Sequence, residues 1–113
     1  MNLTTARNQD VSIVRVNETR LMYPILGEFA STITSLITNG ERKVLLDLST
    51  VTYVDSATIG CLMDLYRQVS AADGHLKLCG VQKRVETMLR LTGSHNFIEM
   101  HVDEPAALES FGA

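Results

Sequence analysis

The strongest constraint on the fold is a run near the middle of the chain, Val44-Leu45-Leu46-Asp47-Leu48-Ser49, followed after a short gap by Val54-Asp55-Ser56-Ala57-Thr58-Ile59-Gly60. A short apolar run bounded by polar residues is the pattern of a central strand covered on both faces. The second segment passes through an Asp-Ser step into a helical pattern, with apolar residues at Ile59, Leu62, Met63, Tyr66 and Val69 as its expected core face. Strand followed directly by amphipathic helix is the unit of an α/β fold. The same step sets the Ser56 hydroxyl at a helix start, where free N–H groups and the helix dipole favour added negative charge. A hydroxyl held there can be a plain cap, a nucleophile or a phosphorylation site.

The rest of the chain reads the same way. Residues 1–10 are polar and are expected as a short edge strand or a loose arm. Val11–Val16 alternates apolar and polar residues, the pattern of a strand with one covered face. Residues 17–20 read as a turn. Ile25, Leu26, Phe29, Ile33, Leu36 and Ile37 recur at helical spacing, with Pro24 suited to the first turn and Asn39-Gly40 to the stop. Residues 49–54 read as a connector whose apolar members tuck under the sheet. The helix from Ser56 or Ala57 should run to about Ala72 and end at Asp73-Gly74. A strand over His75–Cys79, a helix over 82–91, a strand over 97–102 and a last helix from Asp103 or Glu104 complete the pattern. Strands alternating with helices imply an α/β sandwich: a short, mostly parallel central sheet packed by about four helices, in one domain over residues 1–113.

Charge and cysteine usage narrow the function. Ten Lys and Arg against thirteen Asp and Glu give a net charge of -3, and no basic run occurs, so nucleic acid is not expected as a direct partner. Cys61 and Cys79 each sit in an apolar segment and read as reduced core thiols, with no His spacing that would make a zinc site. No apolar stretch reaches the ~18–20 residues that span a bilayer, and the N-terminus lacks a signal core. The expectation is a cytoplasmic protein with no membrane insertion. Neither Gly-x-x-x-x-Gly-Lys nor Gly-x-Gly-x-x-Gly occurs, so the chain is expected to carry no nucleotide site and no cofactor.

The remaining chemistry-bearing residues read as structural. A nucleophilic Ser56 would need a base within reach, and His75, His95 and His101 form no motif with it; a Gly-x-Ser-x-Gly elbow is absent. Asp47 and Asp55 read as strand-end or turn residues, without the further oxygen ligands that a metal would require. Asp64, Arg67 and Lys77 look like solvated surface, and Met22, Met63, Met88 and Met100 like core fillers. Lys83, Arg84 and Arg90 give the third helix a mildly basic edge, by default solvated but able to meet an acidic partner.

Four segments in fixed order, 44–49, 54–60, Leu76-Lys77-Leu78-Cys79-Gly80-Val81 and Leu89-Arg90-Leu91-Thr92-Gly93, resemble the STAS domain of the anti-sigma factor antagonist family. The resemblance runs from about Val11 to Phe111. It implies that Ser56 is the acceptor of a phosphate delivered by a partner that is both anti-sigma factor and ATP-dependent serine kinase, and that a serine phosphatase reverses the step. Asp55 would shape the loop and face the kinase, and Asp55, Ser56, Ala57, Thr58 and Ile59 would form the partner-binding segment. The unphosphorylated protein would bind the kinase and free the sigma factor. Thr58 stands where family members often have glycine, Ile59 replaces a common leucine, and residues 17–22 lack the family's Gly-x-Leu-Asp step. The Thr58 hydroxyl is thereby a second candidate acceptor, ranked below Ser56 by the register of the motif. The alternatives are a non-phosphorylated STAS adaptor of a lipid-transport or scaffold assembly, with Ser56 as a cap, and a small-ligand-binding module.

Overall fold

The computed structural model describes residues 1–112. Strands β1 (Leu3–Asn8), β2 (Val11–Val16), β4 (Lys43–Asp47), β6 (His75–Cys79) and β7 (Glu99–His101) form one sheet in the order β1-β2-β4-β6-β7. Only the β1–β2 pair is antiparallel. Between them run helices α1 (Leu26–Thr38), α2 (Ser56–Ala71) and α3 (Lys83–Leu91), with α4 (Glu104–Ser110) at the C-terminal end. Two further strands of two residues each, β3 (Arg20–Leu21) and β5 (Tyr53–Val54), pair in parallel beside the main sheet.

Alternation along the strands divides the side chains between two layers. Val14, Val16, Val44, Leu46, Leu76 and Leu78 meet Phe29 and Ile33 of α1, Leu62, Leu65 and Val69 of α2, and Val85 and Leu89 of α3 in one core. Burying each such side chain stabilises the fold by about 1.5–3 kcal/mol. Val11, Ile13, Leu45 and Cys79 point to the other face, where α4 covers them with Ala107 and Phe111. Strand β2 is therefore buried on both faces, not on one. Its alternation is incomplete because α4 claims the face that a hairpin strand usually shows to water.

The position of α4 explains a second departure from the sequence reading. Lys77 is not solvated surface; it is only 8% exposed. Its ammonium donates to the Ser110 carbonyl oxygen at 3.2 Å and to Ser110 Oγ at 3.0 Å, and lies 4.6 Å from the centre of the Phe111 ring. Lys43 donates likewise to the Phe111 carbonyl oxygen at 3.2 Å. Two cations thus meet the carbonyl end of α4, while Arg15 holds Glu104 at its amino end at 2.8 Å. The two cations at the carbonyl end and the Glu104 carboxylate at the amino end lie where the helix dipole favours them.

Boundaries also shift. Pro24 sits in a 3-10 turn over Tyr23–Ile25 before α1 begins. In α2 the buried positions are Thr58, Ile59, Leu62, Leu65 and Val69, so Leu65 takes the core place expected for Met63 and Tyr66, which are half-buried. In residues 49–54 the apolar Val51 and Val54 are buried in the core as expected, but Tyr53 and Val54 also pair with Arg20 and Leu21 as a short strand the sequence did not show. Strand β7 is shorter than expected, with Phe97 and Val102 exposed on either side of it.

Candidate functional site

The C-terminal end of β4 turns sharply. Asp47 Oδ1 accepts from the Ser49 N–H at 2.9 Å, which bends the chain toward β5. Gly80 closes over this bend with φ of +67°, and a Cβ there would stand 2.9 Å from that of Ser49, so the close approach needs glycine. The chain then passes through β5 and enters α2 at Asp55.

Asp55, not Ser56, is the N-cap of α2. Its backbone is extended, and Oδ1 accepts from the Thr58 N–H at 2.9 Å. Its other oxygen, Oδ2, accepts from the Tyr23 N–H at 3.0 Å, tying the start of the 3-10 turn to the start of α2. The Thr58 hydroxyl is fully buried and lies 2.6 Å from both the Leu21 carbonyl oxygen and Asp55 Oδ1, sharing its one proton between two acceptors. The bond from Thr58 holds the Asp55 carboxyl below its ordinary range, aided by the backbone N–H groups of Tyr23 and Thr58 against the opposing effect of burial.

Ser56 is the first helical residue and is exposed. Among the described residues no hydrogen bond holds its hydroxyl, and its nearest acid in sequence, Asp55, is already committed to Tyr23 and Thr58. The geometry offers a hydroxyl presented to solvent without a general base prepared for it. Of the five residues expected to meet a partner, Ser56 and Ala57 are exposed and Asp55 is half-buried, whereas Thr58 and Ile59 point into the fold. The Thr58 hydroxyl is inaccessible in this conformation. The side chain of Thr58, which stands where family members often have glycine, is turned inward, where it supports the Asp55 loop.

The sequence reading missed what lies next to Ala57. Helices α1 and α2 flank an apolar groove of about 740 Å³, lined by Tyr23, Gly27, Ala30, Ala57, Gly60 and Cys61 among others. Small residues recur at helical spacing on both helices, the one signal that would have marked it. A Cβ added at Gly60 meets nothing within 4 Å, so no packing inside the molecule requires this mid-helix glycine. Gly60→Ala is expected to stabilise the fold by about 0.5–1 kcal/mol, read as a higher urea midpoint with an unchanged slope.

The other candidates are structural. Cys61 and Cys79 are free; burial raises both thiols, that of Cys79 to about 12 with help from Asp47, Glu104 and Asp103, so neither is a reactive thiolate. No cluster of three His, Cys, Asp or Glu side chains suited to a metal occurs among the described residues. No helix among them is long and apolar enough to cross a membrane.

A mostly parallel sheet with three helices on one face and one on the other makes a small α/β domain in which α2 opens on an exposed serine. Comparison with known proteins gives it a family. The STAS domain model matches residues 2–107, and the chain belongs to the STAS-domain family. It is 25% identical over 109 residues to the anti-sigma-B factor antagonist of Staphylococcus aureus, covering 96% of this chain and 98% of that one. A Thermotoga neapolitana protein named as a candidate anti-sigma factor antagonist is 30% identical over 73 residues, 65% of either chain. Among solved structures, an anti-sigma-factor antagonist (STAS) domain protein of Planctomyces limnophilus superimposes with a TM-score of 0.89 at 21% identity, covering 98% of both chains. The Bacillus cell fate determinant SpoIIAA in its phosphorylated form gives 0.75 at 13% identity, covering 97% of this chain and 99% of that one. At these identities the two structures establish the shared fold.

Proposed function

We propose that this protein is a non-catalytic, phosphorylation-controlled antagonist that binds a serine-kinase anti-sigma factor when Ser56 is free and releases it when Ser56 is phosphorylated. One observation carries the reading: Ser56 alone in its loop has an exposed, unbonded hydroxyl, while the polar groups of Asp55 and Thr58 are consumed in holding the loop. The name of the Staphylococcus aureus relative suggests the partner class, and a related fold occurs in a phosphorylated form. Phosphate on Ser56 adds about 1.5 to 2 negative charges at a helix N-terminus, where the fold tolerates them. The same charge beside Asp55 is costly to bring against a partner surface. Because Asp55 is occupied, the base and the nucleotide come from the partner; a serine phosphatase resets the switch, and the whole cycle runs in the cytoplasm. The partner lies along Ser56, Ala57 and the groove between α1 and α2.

Incubation with ATP and a serine-kinase anti-sigma factor, read by intact mass, tests this. Wild type and Thr58→Val are expected to gain one phosphate and Ser56→Ala none. Valine keeps the shape of the buried threonine while removing its hydroxyl. A phosphate that persists in Ser56→Ala and disappears in Thr58→Val would move the acceptor to Thr58. No gain with a kinase shown to be active on its own antagonist would favour the unphosphorylated adaptor.

A further inference from the structure

Six of the ten Lys and Arg side chains are in ion pairs within the molecule: Arg7, Arg15, Lys43, Arg67, Lys77 and Arg90. Arg42 donates to the carbonyl oxygens of Ile37 and Glu41. The side chains of the three that remain, Arg20, Lys83 and Arg84, have no polar partner among the described residues; two of them, Arg20 and Arg84, meet at one ring, and Lys83 adjoins Arg84 in the chain. The Arg20 guanidinium lies 5.6 Å from the centre of the Tyr53 ring and that of Arg84 lies 5.5 Å from the same ring. Lys83 and Arg84 open α3, which packs against β5. Arg20 is drawn in by the parallel pairing of β3 with β5, which sets it opposite Tyr53.

This cluster runs against the chain's own electrostatics. The protein is acidic overall, yet two guanidiniums share one aromatic ring with no carboxylate between them. Lys83 and Arg84 also stand at the positive end of a helix dipole, where cations are disfavoured. The end is left without a side-chain cap, because the Gln82 amide is turned away to donate to the Ser49 carbonyl oxygen at 2.7 Å. The sequence showed the basic edge of α3; the fold adds Arg20 and the ring. Tyr53 precedes Ser56 by three residues, no more than about 11 Å of chain.

We propose that Arg20, Tyr53, Lys83 and Arg84 form a docking surface for an acidic segment of the protein partner, rich in Asp and Glu, which lands beside the Ser56 loop. Guanidiniums held on a ring face are pre-oriented for carboxylates, since Arg offers its donors as a planar fork. The surface fixes the partner's orientation on the loop and speeds encounter. This rests on the reading of the Ser56 end as the one that faces the partner.

The test uses the full-length ¹⁵N-labelled protein titrated with hexaglutamate, with hexaglutamine and inorganic tripolyphosphate as separate arms. Hexaglutamate is expected to shift the amide signals of Arg20, Tyr53, Lys83 and Arg84 in a saturable, salt-sensitive manner; hexaglutamine is expected to shift none. Binding should weaken by about fivefold or more in Arg20→Gln/Arg84→Gln and stay unchanged in Arg67→Gln, whose arginine is paired elsewhere. Lys83→Gln/Arg84→Gln, which leaves β3 untouched, should weaken it likewise. Absence of shifts with hexaglutamate, wild-type affinity for hexaglutamate in either double variant, or binding of tripolyphosphate without hexaglutamate would overturn the proposal; the last would make the cluster a phosphate site. No anti-sigma factor is present in the titration, so its result stands apart from the phosphate-gain experiment.

Discussion

Asp55→Ala is expected to lower the stability of the folded protein by about 2 kcal/mol, with a fall in melting temperature of roughly 6–12 °C. The substitution removes the side-chain N-cap of α2 and leaves the Thr58 N–H only the longer bond, 3.1 Å, to the carbonyl oxygen of residue 55. It also cuts the bond from the Tyr23 N–H, so the 3-10 turn loses its tie to α2. The pH dependence gives the effect a signature. The Asp55 carboxyl is held below its ordinary value in the folded state, chiefly by the Thr58 hydroxyl. Its contribution is therefore fully present above the unfolded value of about 3.9 and is lost as pH falls through the lower folded one. Glu41 is lowered too, by Arg7 and Ser12, and contributes in the same direction. The difference between wild type and Asp55→Ala cancels that common part. Urea unfolding from pH 6 down to pH 2 should show the gap between the two proteins shrinking at the acid end. A constant gap would mean that the carboxylate charge is not what fastens the loop.

The second large effect concerns binding alone. Ser56→Glu is expected to weaken association with a serine-kinase anti-sigma factor by about 100-fold, near 2.7 kcal/mol, while stability changes by no more than about 0.5 kcal/mol. Position 56 is exposed, and a carboxylate at the first residue of α2 meets the favourable end of its dipole. Calorimetric titration beside urea unfolding separates the two quantities. Ser56→Ala should bind like wild type. If Ser56→Glu bound equally well, charge at this position would not be the switch.

The parts of the fold that were legible in the sequence are those fixed by local pattern. The apolar run of β4, the Asp73-Gly74 stop after α2 and the Asp55-Ser56 step all follow from neighbours a few residues apart. What escaped depended on distant partners. Strands β3 and β5 have two residues each, too few to show any period, and exist only because Arg20–Leu21 and Tyr53–Val54 lie side by side. Lys77 looks like surface in sequence because nothing local announces the carbonyl end of α4, which receives it. Leu91 has an apolar side chain at the end of an amphipathic helix, yet it is 78% exposed because it lies off the helix face that carries Val85 and Leu89. At the site, the Asp-Ser pair was found but the division of labour within it was not. Either residue can cap a helix; the reach of Asp55 to Tyr23, thirty-two residues earlier in the chain, assigns the cap.

That reach has a consequence for how signalling would proceed. A single carboxylate clasps the approach to α1 and the start of α2 together before anything binds. If the Ser56 end is the contact face, as proposed, it is cut to shape in advance, so association would have little loop entropy to overcome and release would need no refolding. A switch built on such a face changes its potential and keeps its contour. It can be cycled many times between two electrical states with its backbone at rest.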